Sequence, residues 1–195
     1  MFSISFFITS FLLGVGLAMD AFSVSVANGL HEPNMRKKKQ LAVAGTFAFF
    51  QFMMPMIGWF FVHMIVEAFT AFQKFIPWIA LILLCYIGGK MLVEGIQTWN
   101  ETDNDVPRLR KRDLLIQGIA TSIDALSVGF TISEYGVLES LVAALIIGAV
   151  TLIICIFGLS IGKKVGEKIG GKANVLGGLI LIGIGIEIFV KGVFL

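Results

Sequence analysis

Apolar positions in this chain come in long blocks, without the alternation of a surface strand or the one-sided stripe of a soluble helix. Six blocks, at roughly 4–27, 41–62, 77–97, 114–132, 141–162 and 175–193, each approach the ~20 residues that carry an α-helix across hydrocarbon. No block has the period of two that a membrane-spanning barrel strand requires. The short polar stretches between them leave no room for a soluble domain. The pattern therefore predicts an all-α integral membrane protein with six transmembrane helices in a single membrane domain, residues 1–195. The opening "MFSISFFITSF" lacks the basic head and small-residue cleavage site of a signal peptide and reads as the start of a retained first helix.

Composition strengthens this picture, since 57% hydrophobic residues and a mean hydropathy of +0.92 exceed what a soluble core could hide. The charges then orient the helices. "RKKK" (Arg36 to Lys39), "RLRKR" (Arg108 to Arg112) and the stretch from Lys163 to Lys172 hold four basic residues each, twelve of the fifteen in the chain. These are the first, third and fifth loops. The other loops and ends contribute only Lys74 and Lys191, so the positive-inside rule puts the odd loops in the cytoplasm and both termini outside. Because topology alone demands these clusters, no nucleic-acid partner is expected. Cys85 and Cys155 stand alone in apolar runs and read as core filling rather than as a disulfide or metal pair.

The six spans divide into two similar halves. Aligning Asp20 with Asp124 also pairs Gly14 with Gly118, Ala21 with Ala125, Ser23 with Ser127 and Val24 with Val128. In spans 3 and 6, "IGGKMLVEG" (Ile87 to Gly95) lines up with "IGIEIFVKG" (Ile184 to Gly192), with Lys90 falling on Glu187 and Glu94 on Lys191. Three spans per half is an odd number, so the halves must lie in opposite orientations. The expectation is two inverted-topology three-helix repeats, about 1–99 and 113–195, joined by a charged cytoplasmic loop, 100–112. Secondary transporters use this architecture and place the substrate between the repeats near the midplane.

Asp20 and Asp124 sit well inside spans 1 and 4, where an aspartate costs roughly 2.5 to 3.5 kcal/mol. Spans 1, 2, 4 and 5 contain no interior Lys or Arg, and Lys90 on span 3 can serve only one of them. Helical spacing surrounds the two carboxylates with polar groups. Ser23 follows Asp20 by one turn and Asn28 by two, while Thr121, Asp124, Ser127 and Thr131 form a stripe along span 4. These hydroxyls either line a pathway or bond their own helix backbone. Two carboxylates with neutral oxygens suit a hard or borderline divalent cation such as Mn²⁺ or Mg²⁺. Met19 beside Asp20 could add a soft ligand, tilting the site toward Mn²⁺ or Cd²⁺. An empty carboxylate pair in low dielectric favours protonation, so metal binding would displace protons, with no need of a nucleotide.

Other features read as structural. Lys90 with Glu94, and Glu187 with Lys191, are spaced i, i+4 and read as charge pairs bracing the repeat interface. Pro55 on span 2 removes a backbone bond and leaves a carbonyl for the bundle, one turn after Gln51. "GEKIGGKA" resembles a phosphate loop but has Ala173 where Ser or Thr is required. Gly158, Gly162, Gly166 and Gly170 recur every fourth residue; such Gly-rich spans suit a homodimer seam or close packing inside one bundle equally well. No catalytic triad or HExxH set exists, so neither enzyme activity nor a cofactor is expected.

The motifs "MDAFSVSVANG", "PMIGW", "GGKMLVEG", "ATSIDALSVG" and "LGGLILIGIGIEI" resemble the MntP family of bacterial manganese efflux pumps, nearly end to end. The resemblance implies a six-span exporter of the lysine-exporter type in the bacterial inner (plasma) membrane, carrying Mn²⁺ out of the cytosol as substrate. Its two motif aspartates fall on Asp20 and Asp124, and its polar position four before the proline falls on Gln51. The family pattern has glutamate there; Gln51 keeps an oxygen and drops a charge, which bears on metal preference and proton coupling. The expected metal site is Asp20 and Asp124, completed by Ser23, Asn28, Gln51, Thr121 and Ser127. The rival readings are an exporter of another cargo, Cd²⁺, Ni²⁺ or an amino acid, and a non-transporting membrane scaffold in which the aspartates hold helices together.

Overall fold

The computed structural model describes residues 3–64, 76–97, 109–133, 135–169 and 172–194. Seven helices occur among them: α1 (Ile4–His31), α2 (Lys37–Met64), α3 (Ile76–Gln97), α4 (Lys111–Thr121), α5 (Ile123–Thr131), α6 (Val137–Ile169) and α7 (Lys172–Phe194). No strand appears among the described residues. α1, α2, α3 and α6 are long and apolar enough to cross a membrane, and α7 carries a shorter apolar stretch, Val175–Val190. Phe11, Leu12, Ile82, Phe157 and Leu179 on these helices point outward, the arrangement that hydrocarbon rather than water rewards. Lys74 and most of the loop 100–112 lie outside the described residues.

The predicted fourth span is not one helix. α4 ends at Thr121 and α5 begins at Ile123, with Ser122 as the turn between them. The cause is a competition for carbonyls. Ser122 N–H donates to Ile119 O at 3.2 Å, while Ser122 Oγ takes the Gly118 carbonyl at 2.6 Å that the helix would have used. Its counterpart α1 runs unbroken past Asp20, and α2 stays helical through Pro55.

Close backbone approach holds the helices together. A Cβ on Gly158 would lie 2.8 Å from the Phe22 carbonyl oxygen and 3.1 Å from Ser25 Cβ, which brings α6 directly onto α1. Gly162 meets Val26 and Gly29 further along, and Gly166 meets Leu30, so the two helices run parallel and the predicted glycine stripe is used inside one chain. Gly58 makes the matching approach from α2 to α5, against the Leu126 carbonyl and Gly129. In the alignment of Asp20 with Asp124, Phe22 corresponds to Leu126 and Ser25 to Gly129, so the two seams are one contact made twice. α3 and α7 pack antiparallel, and a Cβ on Gly88 would come within 2.7 Å of Gly178 O. Phe47, Leu84, Leu159 and Leu181 fill the core between these seams.

The two ends of the bundle differ chemically. At one, Glu32 accepts from Lys39 Nζ at 2.5 Å and from the Leu109 N–H at 3.0 Å, and Lys163 Nζ donates to Met35 O at 2.8 Å. The three basic segments thus meet at this end. At the other, Trp59 Nε1 donates to Tyr135 O at 3.1 Å, Phe6 packs on Tyr135, and Trp78 stacks edge-on against Phe189. Aromatic side chains with a polar handle suit a membrane–water interface.

Candidate functional site

The break at Ser122 sets the position of Asp124. It places the carboxylate in the first turn of α5, where Asp124 Oδ1 accepts the Ala125 N–H at 2.8 Å. Asp124 is exposed and Asp20 is half-buried, each on the flank of the packed core rather than inside it. Leu17, three residues before Asp20, and Ala125, next to Asp124, share one apolar cluster with Ile147.

Gln51, on α2 and fully buried, joins the two aspartate-bearing segments. Its Nε2 donates to Leu17 O at 2.9 Å and to Thr121 O at 3.3 Å. Leu17 lies three residues before Asp20 and Thr121 three before Asp124, so the amide grips carbonyls that correspond when Asp20 is aligned with Asp124. Both partners are acceptors only, which fixes the amide orientation by chemistry. The other atom must then be Oε1, and it is buried without a hydrogen-bond partner.

A second amide pair lies closer to the basic end. Asn28 Nδ2 donates to Gln117 Oε1 at 2.7 Å, linking α1 to α4, and both residues are fully buried. Thr121 Oγ1 donates to Gln117 O at 2.9 Å, which connects this pair to Gln51 through Thr121. Asn28 Oδ1 and Gln117 Nε2 have no hydrogen-bond partner, and Ser25 Oγ lies beside the Cys155 thiol. Orphaned buried polar atoms cost about 1–3 kcal/mol each, so this cluster is held at a cost to stability.

Of the predicted site residues, Asn28, Gln51 and Thr121 are brought into this buried cluster; Asp20 and Asp124 flank it. Ser23 is half-buried and its Oγ donates to Met19 O at 3.1 Å, while Ser127 is exposed. Ser23 and Thr121 therefore bond their own helices, yet donation leaves their oxygen lone pairs available to a cation. Among the described residues, no three His, Cys, Asp or Glu side chains gather as a metal-binding group. Gln117, Ser25 and Ser122 were not anticipated. Gln117 had a signal, because it extends the stripe of Thr121 and Asp124 by one further turn. Lys90 also has a partner that spacing did not offer: its Nζ lies 2.8 Å from Asp113 Oδ2 on α4. Glu94 is half-buried and Glu187 exposed, and the Lys191 side chain lies outside the described residues. Cys85 and Cys155 are free thiols.

The family model described as "Putative manganese efflux pump", Mntp, matches residues 34–189. The chain is 42% identical over 183 residues to "Putative manganese efflux pump MntP" of Ruminiclostridium cellulolyticum, covering 94% of this chain and 95% of that one. The chain belongs to the MntP family. Its MntP relative in Methanosarcina mazei is 39% identical over 187 residues (95% and 96% covered), and that of Clostridium perfringens strain 13 is 38% identical over 200 residues (92% of each). The MntP family match begins after α1 and so includes Gln51 and Asp124 but not Asp20, whereas these relatives align over nearly the whole chain. No solved structure matches it.

Proposed function

We propose that this MntP-family chain is a secondary-active exporter of Mn²⁺ from the cytosol, in the bacterial plasma (inner) membrane, with the cation held between two inverted three-helix repeats. The twice-made seam, Gly58 of α2 against α5 and Gly158 of α6 against α1, supports the repeat. So do the parallel course of α1 with α6 and the antiparallel course of α3 with α7. The basic end faces the cytoplasm and both termini lie outside, in line with the gathering of Glu32, Lys39, Leu109 and Lys163 at one end and the aromatics at the other.

The observation that carries the reading is Gln51. Its nitrogen secures the backbone one turn before each aspartate, and its Oε1 is a buried acceptor without a hydrogen-bond partner. A buried oxygen of that kind is suited to a cation. Asp20 and Asp124 supply the two negative charges that neutralise Mn²⁺, Gln51, Asn28 and Thr121 supply neutral oxygens, and Ser23 and Ser127 complete the shell. When the cation leaves, two carboxylates in low dielectric take up protons, which gives exchange of protons for metal.

The test is Mn²⁺ flux in proteoliposomes carrying a metal-quenched dye, with and without a pH gradient, and with Mg²⁺ and Cd²⁺ as competitors. Wild type is expected to carry Mn²⁺, and folded Asp20→Asn and Asp124→Asn each to lose at least about tenfold, as loss of one charged ligand implies. Unchanged flux in both variants would remove the aspartates from the site. Lost folding without a transport phenotype in any folded sample would favour a scaffold.

A further inference from the structure

A shallow, largely apolar surface groove of about 420 Å³ lies between α1 and α5, with Thr9, Leu12, Leu13, Gly16 and Leu17 on one wall and Val128 on the other; Thr9, Leu13, Leu17 and Val128 have counterparts that differ in state. The alignment of Asp20 with Asp124 maps these four positions onto Asp113, Gln117, Thr121 and Val24. That second surface lies toward the basic end, and it is shut. Gln117, Thr121 and Val24 are buried, Gln117 accepts from Asn28 Nδ2 at 2.7 Å, and Asp113 is held by Lys90 at 2.8 Å. Equivalent surfaces of the two repeats are therefore in opposite states within one molecule.

We propose that the Asn28–Gln117 hydrogen bond is the inner gate of this protein, closed here. The proposal rests on the inverted-repeat reading above. α1 and α4 meet at this bond, so separating Asn28 from Gln117 opens the route from the basic end to Asp20 and Asp124. The pair is built to part easily. The closed gate buries Asn28 Oδ1 and Gln117 Nε2 without a hydrogen-bond partner. Opening loses one hydrogen bond but lets water reach both atoms, which offsets the loss. The counterpart of Gln117 is Leu13, which has no polar group, so the latch has no polar equivalent at the groove. The gate is asymmetric, with a polar latch on the side from which an exported cation arrives.

The experiment uses the full chain with Cys85 and Cys155 replaced by alanine and Val24→Cys as reporter, in vesicles that expose the basic end to a membrane-impermeant maleimide. Gln117→Leu and Asn28→Leu each leave a buried amide without its partner in the closed state. Each is expected to raise the labelling rate at Cys-substituted position 24 by about fivefold or more. The double variant places leucine against leucine, closes dry, and is expected to label more slowly than either single variant. Gly183→Ala, where an added Cβ meets nothing within 4 Å, serves as a control with an unchanged rate. Singles that label like the parent, or a double variant that labels at the product of the two single effects, would overturn the gate. If one single variant fails to fold, the other decides. Labelling does not depend on the cargo: a parent protein without Mn²⁺ flux whose labelling still follows this pattern would sink the proposed cargo and leave the gate standing.

Discussion

Gln51 Nε2 donates to the Leu17 carbonyl oxygen at 2.9 Å, across the seam between α2 and α1. The same nitrogen reaches Thr121 O, the atom that corresponds to Leu17 O when Asp20 is aligned with Asp124. A glutamate carboxylate at this position would face two carbonyl oxygens with no proton to offer. The glutamine is thus the residue that this pair of backbone acceptors demands at neutral pH, and it leaves the two aspartates as the charged members of the proposed site.

Gln51→Met keeps the volume but removes both donated bonds and the orphaned acceptor. Mn²⁺ flux is expected to fall at least about tenfold in protein that still elutes as a folded species, from the loss of two or more polar contacts in a buried setting. Gln51→Glu is expected to behave differently. Its carboxyl is protonated when the site is empty, because the ionised form is repelled by Leu17 O and Thr121 O, and the cation then displaces one more proton than in wild type. Apparent Mn²⁺ affinity should therefore fall more steeply as pH drops from 8 to 6. Binding titrations across that range check this, and a slope identical to wild type would count against Gln51 as a ligand.

The twin glycine seams predict twin phenotypes. A Cβ at Gly158 meets the Phe22 carbonyl and one at Gly58 meets the Leu126 carbonyl, neither of which can retreat without moving a helix. Gly58→Ala and Gly158→Ala should each lower the melting temperature in detergent, by comparable amounts. Gly89→Ala and Gly183→Ala meet nothing within 4 Å and should be neutral, or stabilising by up to about 1 kcal/mol from helix propensity. A tolerated Gly58→Ala beside a damaging Gly158→Ala would show that the seams are not equivalent.

Glu32 ties two loops at the basic end through a single oxygen, Oε2. Glu32→Ala removes the acceptor for the Leu109 N–H and the counter-ion of Lys39. Hydrogen exchange at the Leu109 amide is expected to speed up by about tenfold or more, a charge-assisted bond being worth roughly 1.5–3 kcal/mol. Protection equal to wild type would mean that this segment is held by something else.

The helices were legible because hydrocarbon imposes length and apolarity on every span, and the basic segments were legible because they cannot be buried there. The break in the fourth span was not. "TSI" at 121–123 contains neither Pro nor Gly, and the turn arises from Ser122 Oγ competing for the Gly118 carbonyl, an outcome that serine leaves open in a helix. Asn28, Gln51 and Thr121 were found by polarity inside apolar runs, and the structure gathers those three. Gln117 was missed because it lies near the polar start of its span, where an amide draws no attention. The Lys90–Asp113 pair was missed for a different reason: periodicity reports neighbours within one helix, and this partner arrives from α4.

That pair gives a sharp test of how the contact between α3 and α4 is held. Lys90 offers two acids, Glu94 one turn along its own helix and Asp113 across the α3–α4 contact at 2.8 Å. The Asp113 side chain is largely buried and that of Lys90 only partly, so screening by solvent reduces the value of the pair below that of a fully buried one. Lys90→Met or Asp113→Asn alone strands one charge in a poorly solvated place and should cost about 1–2 kcal/mol. The double variant strands neither and should be milder than Lys90→Met alone. Thermal unfolding of the three proteins in one detergent measures the coupling directly. A silent Asp113→Asn, with the full loss appearing only when Glu94 is neutralised, would move the Lys90 partner back onto its own helix.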